Sequence, residues 1–333
     1  MTPMLSRRRV LALAAASGLA AAAGRPAFAA GPTIRIAVLK TGTVNWELDV
    51  IRTNGFDQKH GFALDVVEVA NNEATRVALQ AGDVDLITSD WLLVARERGE
   101  GSDLTFVPFS SSVGSIMVKD GGGIATLADL KGKKIGVAGG PLDKNWLLIQ
   151  GMAKRDFGLD LAKDAEPAFG APPLLSEKLQ SGELDAALTF WNFCARLEAG
   201  GFKSILSGLE AAQAMGAKGA ISAVGYTFSE GWAAKNLDAV KGFVAASREA
   251  KELLRTSDAE WARIRPMMNA DDDKVFANLR DRFRDGIPSR PIADEIADAT
   301  TLYGVLADLG GEKLVGKSKT FAAGTFWSEL AKG

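Results

Sequence analysis

Short apolar runs alternate with amphipathic stretches through most of the chain, and this alternation predicts an α/β fold. The apolar runs are rich in β-branched residues, whereas the amphipathic stretches place apolar residues on one helical face. In the first block, strands are predicted at 34–39, 63–70, 85–88 and 104–109, and helices at 43–52, 72–81 and 90–98. This order of elements is typical of a mainly parallel sheet that helices cover on both faces.

A second block of the same kind begins after Gly121-Gly122-Gly123, which is the clearest break in the pattern. Its strands are predicted at 134–138 and 185–190, and its helices at 145–157 and 174–180. From Asn236 the pattern changes to long amphipathic helices, in which Val275, Leu279 and Phe283 recur at intervals of four. The sequence therefore predicts two α/β lobes and a helical C-terminal tail.

Four of the 7 tryptophans form two pairs with the same spacing, because Trp46 lies 100 residues before Trp146 and Trp91 lies 100 residues before Trp191. Their neighbours repeat as well. An asparagine precedes both Trp46 and Trp146, and the run LQAGDVD precedes Trp91 as LQSGELD precedes Trp191. The repeat predicts two lobes of similar build. The alternative is that two unrelated strand-helix units converged on similar packing residues.

The first 29 residues are predicted to be an export signal. Arginines at 7–9 precede an apolar run at 10–23, and Ala27-Phe28-Ala29 has the small residues of a signal-peptidase site. Two arginines are followed, after one further residue, by Val10 and Leu11. This order fits a twin-arginine signal, and the general secretion route is the alternative. The mature chain is therefore expected in the periplasm as a soluble protein.

Composition excludes several classes of protein. The single Cys194 cannot form an internal disulfide. Removal of the signal leaves 35 of the 39 basic residues against 41 acidic ones, a net charge of −6. A protein that binds nucleic acid or an anionic membrane would carry a basic excess, so neither partner is expected.

The repeated tryptophans follow predicted strands, at the edge of an α/β sheet where ligands usually bind. Trp46 and Trp146 follow the first strand of each block, whereas Trp91 and Trp191 follow the strand at 85–88 and its counterpart at 185–190. If the lobes face each other, all four loops line one cleft. The alternative for each tryptophan is packing against its own sheet, since tryptophan is commonly mostly buried.

Three stretches carry a family resemblance, namely 78–85, 124–137 and 178–186, and the helix start at 236–240 agrees with them. With these motifs the chain resembles the periplasmic solute-binding proteins of ABC importers, in the branch that serves nitrate, sulfonates, taurine and thiamine-pyrimidine precursors. The resemblance implies a two-lobed fold of type II, with lobe I at 30–117 and 222–333 and lobe II at 118–221. It also implies a cleft that closes on one small solute, and delivery to a membrane permease with its cytoplasmic ATPase.

The position of the loops in that family implies the ligand-binding residues. They are Lys40, Thr43, Asn45, Trp46, Ser89, Asp90, Trp91, Asp143, Asn145, Trp146, Phe190, Trp191 and Asn192. Helix N-termini favour an anion such as a sulfonate, and tryptophan favours a flat ring, so an aromatic, heterocyclic or sulfonate-type solute is expected. Asp90 and Asp143 oppose an anion, with helix capping as their alternative role.

No enzymatic site is expected. His60 is the only histidine, so a catalytic triad would depend on this one residue in a turn. One histidine and one cysteine cannot form a zinc site of those ligands, and Asp271-Asp272-Asp273 lacks the spacing of a calcium loop. We therefore expect a monomeric binding protein without cofactor or metal. The alternative is an exported accessory or sensor protein of the same fold that acts without transport.

Overall fold

The computed structural model describes residues 31–332. The predicted export signal lies outside the described residues. Within the described part, the chain forms two five-stranded sheets with helices against them. The α/β prediction, the two lobes and the helical C-terminal region are thereby confirmed.

The first sheet has the strand order β2-β1-β3-β10-β4. Its strands are β1 (Thr33–Leu39), β2 (Ala63–Val69), β3 (Leu86–Ser89), β4 (Leu104–Ser110) and β10 (Val224–Ser229). Strands β2, β1 and β3 are parallel, whereas β10 is antiparallel to both of its neighbours. The helices between these strands are α1 (Val44–Thr53), α2 (Phe56–Lys59), α3 (Asn72–Ala81) and α4 (Trp91–Gly99).

The second sheet repeats this arrangement with the order β7-β6-β8-β5-β9. Its strands are β5 (Ser115–Lys119), β6 (Lys134–Ala138), β7 (Glu166–Gly170), β8 (Ala186–Thr189) and β9 (Phe202–Ser207). Here β5 is the antiparallel strand. The helices of this lobe are α5 (Lys144–Phe157), α6 (Leu161–Asp164), α7 (Pro172–Ser181), α8 (Trp191–Ala199) and α9 (Gly208–Ala214), with a 3-10 turn at Leu127–Leu130.

The two sheets exchange one strand. Strand β5 follows β4 along the chain but joins the second sheet, and β10 follows β9 but joins the first. The chain therefore crosses between lobes at 111–114 and at 215–223. The lobe boundary expected between residues 117 and 118 falls inside β5, and the glycines at 121–123 form a turn after that strand.

The first crossing depends on a glycine. A β-carbon at Gly114 would lie 1.8 Å from the carbonyl oxygen of Thr189, at the end of β8. Only a residue without a side chain allows the backbone to pass this close to the sheet. The crossing is therefore fixed directly beside the loop that leads into Trp191.

The C-terminal helices hold both crossings. They are α10 (Glu230–Lys235), α11 (Leu237–Thr256), α12 (Asp258–Ile264), α13 (Asp273–Asp285), α14 (Ile292–Gly310) and α15 (Glu312–Val315), with 3-10 turns at Arg265–Met268 and Ser328–Lys332. Ser112 Oγ donates to the carbonyl oxygen of Arg282, at 3.0 Å. At the second crossing, the Ser222 N–H donates to Glu295 Oε2 at 2.8 Å.

Helix α13 also binds the second lobe. Arg282 forms an ion pair with Glu198, and Asn278 Nδ2 donates to the carbonyl oxygen of Ala195 at 3.0 Å. Arg196 of α8 donates to the carbonyl oxygens of Met268 and Asn269, at 2.6 and 2.9 Å. The C-terminal region therefore contacts both lobes.

No helix within residues 31–332 is both long enough and apolar enough to cross a bilayer.

A buried ion pair lies in the core of the first lobe. Lys251 Nζ of α11 is 2.6 Å from Glu47 Oε2 of α1, and both side chains are buried. Glu47 Oε1 accepts hydrogen bonds from Tyr226 and Ser247, at 2.8 and 2.6 Å. Burial lowers the pKa of Lys251, and the opposite charge of Glu47 counteracts that effect. The pair connects α1, α11 and β10.

We predict that Lys251→Met costs about 3–5 kcal/mol of stability, because it leaves the Glu47 charge buried without a counter-ion. Glu47→Gln should cost a similar amount, and the double variant should lose clearly less than the two single losses combined. Guanidinium unfolding at pH 7 measures all three changes. Strictly additive losses would contradict the coupling.

Candidate functional site

The carboxyl ends of the parallel strands in the two sheets face one cleft. Two contacts show that the lobes meet there. The ring centroids of Trp46 and Trp191 are 6.1 Å apart, and Lys144 Nζ is 3.1 Å from Asp90 Oδ2. In each pair, one residue follows a strand of the first sheet and the other follows a strand of the second.

Trp46 and Trp191 belong to an aromatic cluster at one end of the cleft. Phe283 of α13 packs against both, with centroid distances of 5.9 and 6.4 Å. Trp46 is buried and Trp191 is half-buried. This cluster joins α1, α8 and α13, so these tryptophans contribute to lobe packing as well as to the cleft wall.

A recess lies next to the crossings, and its space, including the open solvent at its mouth, is about 430 Å³. Both lobes, both crossings and helix α14 contribute to its lining. The lining residues are Trp91, Ser111, Val113, Lys144, Asn145, Leu148, Gly208, Leu209, Ala212, Ile221, Ala223, Leu302 and Leu306. Small-molecule sites usually have this mainly apolar character, with a few polar groups.

The polar side of the recess is formed at the start of α5. Lys144 Nζ donates to Asp90 Oδ2 and, at 3.3 Å, to the carbonyl oxygen of Ala223. The Asn145 side chain lies against Gly208, where a β-carbon would approach Asn145 Oδ1 to 2.6 Å. One lysine thus links the first lobe, the second lobe and the second crossing.

The structure brings two of the thirteen predicted residues into the recess lining, Trp91 and Asn145. Asp90 lies beside it through the bond to Lys144. Ser89 Oγ is 2.7 Å from Thr227 Oγ1, within the first sheet. Asn45 Nδ2 donates to the carbonyl oxygens of Leu39 and Lys40 and so holds the loop after β1.

The remaining predicted residues are distributed around the cleft. Trp146 is 1% exposed and packs in the core of the second lobe, whereas Phe190 is 44% exposed. Lys40 is exposed, and Thr43 and Asn192 are half-buried. A ligand contact by any of the thirteen stays a prediction.

Asp90 and Asp143 both cap helices. Asp90 Oδ1 accepts from the Leu93 N–H at 2.8 Å, and Asp143 Oδ1 accepts from the N–H groups of Asn145 and Trp146 at 3.0 Å. The capping alternative therefore applies to both carboxylates. Burial raises the pKa of Asp143, although the backbone N–H of Trp146 and the charge of Lys144 oppose the shift.

Sequence reasoning missed Lys144 and the apolar wall of the recess. Lys144 stands between two predicted residues, Asp143 and Asn145, so its place in the loop could have identified it. Leu302 and Leu306 are spaced by four on α14 and share one helical face, but this pattern also fits ordinary core packing. Their contribution to the recess follows only from the position of α14 in the folded chain.

The groups considered for catalysis lie elsewhere. His60 Nε2 is 2.9 Å from Glu249 Oε2, in a half-buried pair at the end of α2. Burial raises the pKa of the Cys194 thiol to about 11. Asp272, from the acidic run, caps α13 by accepting from the N–H groups of Lys274 and Val275. Within residues 31–332, no cluster of three His, Cys, Asp or Glu side chains could hold a metal ion.

Comparison with known proteins gives a family and a fold. The family model described as NMT1/THI5 like matches residues 50–258, which is more than half of the chain. A putative aliphatic sulfonates-binding protein of Escherichia coli (strain K12) is 29% identical over 184 residues, 54% of this chain and 54% of that protein. The chain therefore spans about half the length of this curated relative.

Solved structures of similar fold cover almost the whole described chain. The periplasmic aliphatic sulphonate binding protein SsuA from Escherichia coli has a TM-score of 0.71 at 22% identity, over 90% of this chain and 93% of that one. The nitrate-binding protein NrtA from Synechocystis PCC 6803 has a TM-score of 0.60 at 14% identity, over 91% and 89%. The predicted two-lobed binding-protein fold is confirmed.

We predict that Asp143→Ala loses about 1 kcal/mol of stability through the lost cap, whereas Asp143→Asn keeps the cap. Because the raised pKa disfavours the folded wild type once Asp143 ionises, the Asn variant should gain stability relative to wild type as the pH rises above about 4. Chemical unfolding between pH 4 and pH 8 measures this difference. An Asn variant as unstable as the Ala variant at every pH would show that the cap needs the charge.

Proposed function

The chain belongs to the NMT1/THI5-like family, and on this premise we propose that it is the substrate-binding component of an ABC importer. It captures a small organic solute in the periplasm between its two lobes and delivers it to a membrane permease with a cytoplasmic ATPase. The predicted resemblance to the nitrate, sulfonate, taurine and thiamine-precursor branch agrees with the family and with the similar structures.

One observation carries the proposal, namely the recess of about 430 Å³ lined from both lobes and both crossings. A site that is shared between lobes is completed only when the lobes approach each other. A ligand in it therefore stabilises the closed arrangement over the open one. Transport proteins of this architecture use such hinge closure to capture their solutes.

The contacts between lobes supply a mechanism for closure. Separation of the lobes at the recess would break the bond from Lys144 to Asp90 and the packing of Trp46 against Trp191. Ser111, in the first crossing, lines the recess and also donates its N–H to the carbonyl oxygen of Gly286 at 2.8 Å. A ligand at this position contacts the hinge itself.

The lining indicates the class of solute. Trp91 belongs to the lining, with Leu302 and Leu306 from α14. An aromatic residue with aliphatic neighbours suits a flat ring. We therefore propose an aromatic, heterocyclic or sulfonate-type organic solute, bound by a monomer without cofactor and without catalysis.

A thermal-shift screen of residues 30–333 tests the proposal with sulfonates, nitrate, taurine, thiamine-pyrimidine precursors, flavins and aromatic carboxylates. Ligand at about 100 times Kd adds about 2.7 kcal/mol to the free energy of unfolding. The Tm should therefore rise by several degrees with one class of compound. No rise with any class would count against a solute-binding function.

A substitution that fills the recess tests whether the solute binds there. Ala212→Phe, in the lining on α9, should remove the thermal shift because its ring occupies the ligand volume. Gln213→Phe, at the neighbouring exposed position on the same helix, is the control and should keep the shift. Equal shifts in wild type and both variants would place the bound solute outside the recess.

A further inference from the structure

We propose that the recess binds uncharged organic solutes in preference to anions, and that Asp90 sets this preference through Lys144. The proposal rests on the function proposed above and narrows its class of solute. It also separates this chain from similar structures whose names refer to sulphonate and nitrate.

The cation of the recess is already paired within the protein. Lys144 is the cationic residue among those that line it. Its ammonium group carries three protons, of which one is donated to Asp90 Oδ2 and one to the carbonyl oxygen of Ala223. The third proton can be donated to an uncharged acceptor of the solute, such as a carbonyl oxygen, a sulfonyl oxygen or a ring nitrogen. The positive charge is already balanced by Asp90.

Helix N-termini lie around the recess. Such ends attract anions because their N–H groups lack partners within the helix. At α4 the Leu93 N–H already binds the carboxylate of Asp90, and at α5 the N–H groups of Asn145 and Trp146 bind that of Asp143. At α9 the Ser207 side chain accepts from the Glu210 N–H, and the Glu210 carboxylate accepts from Ser207. Part of each N-terminus is therefore bound by the protein's own side chains.

An anionic ligand would meet negative charge at the polar side of the recess. An anion beside Lys144 would lie close to the carboxylate of Asp90, with the carboxyl of Asp143 at the preceding position of the same loop. Like charges at short range in a partly buried site strongly disfavour binding. The raised pKa of Asp143 agrees with an environment that supports additional negative charge poorly.

The rest of the wall adds no further positive charge to compensate an anion. It consists mainly of apolar side chains from α5, α9 and α14, including Leu148, Leu209, Leu302 and Leu306. Burial of a charge against such a surface is costly, whereas an uncharged ring gains the transfer of its apolar area from water. The apolar wall and the pairing of Lys144 with Asp90 therefore both favour an uncharged solute.

Two pairs of nearly isosteric probes test the charge preference, benzenesulfonamide with benzenesulfonate and benzamide with benzoate. Isothermal titration calorimetry at pH 7 and low salt gives the four affinities. For the wild type, the uncharged member of each pair should bind about tenfold or more tightly than the anion.

Asp90→Asn tests the role of the carboxylate, since asparagine caps a helix as well as aspartate does. This variant should lower the ratio of the affinity for the uncharged probe to that for the anion about tenfold in each pair, because Lys144 gains an unbalanced charge. The ratio cancels any effect on lobe closure that the two members of a pair share. Asp272→Asn is the matched control. It removes an exposed capping carboxylate from α13, outside the recess, and should leave all four affinities unchanged.

Three results would overturn the inference: a wild type that prefers the anions, an Asp90→Asn variant with unchanged affinity ratios, or no binding by any of the four probes. Thermal unfolding without ligand verifies the fold of each variant, and Asp90→Ser, a second capping substitution, replaces Asp90→Asn if that variant does not fold. Each result is separable from the proposed function. A solute that raises the Tm of the wild type, but not of Ala212→Phe, would still support transport binding.

Discussion

The exchange of one strand between two sheets is the constraint on which the rest of this structure depends. Because β5 joins the second sheet and β10 joins the first, the chain crosses between lobes twice. Both crossings contribute residues to the same recess. The close passage of Gly114 beside Thr189, and the bonds from α13 and α14 to the crossings, then hold the two connecting segments in place.

The same few carboxylates serve the fold and the site. Asp90 and Asp143 satisfy N–H groups at the starts of α4 and α5, which a helix must otherwise leave to water. Asp90 also balances Lys144, which joins the lobes. Capping thus places negative charge at the edge of the recess, so local helix stability and the charge of the accepted solute are physically linked.

Much of the fold could be predicted from the sequence because its parallel strands and their helices have strong local patterns. Helix α3 has the predicted bounds, and β1 and β2 differ from their predictions by one residue at one end. The exchanged strands β5 and β10 were not predicted, since their pairing is antiparallel and between distant segments. The edge strands β7 and β9 of the second sheet were not predicted either. The glycine triplet indicated a turn correctly, yet the crossing lies earlier, at 111–114. A turn signal does not specify which sheet the next strand joins.

The site was predictable only in part, for a similar reason. The repeated tryptophans identified the loops that face the cleft, and Trp91 with Asn145 lies in the recess. Trp91 and Trp146 are both buried, yet Trp91 belongs to the lining of the recess and Trp146 does not. This difference depends on the neighbours that surround each side chain in the fold. Leu302 and Leu306 line the recess because helix α14 of the C-terminal region packs against it. This contact joins segments that are distant in the sequence, so a local pattern does not reveal it.

A crystal structure of the protein with the compound that most raises its Tm tests the central claim most directly. The account predicts one molecule in the recess, with its ring beside Trp91, an acceptor atom within hydrogen-bond distance of Lys144 Nζ, and contacts to residues of both lobes. A molecule bound to one lobe alone, or outside the cleft, would contradict it.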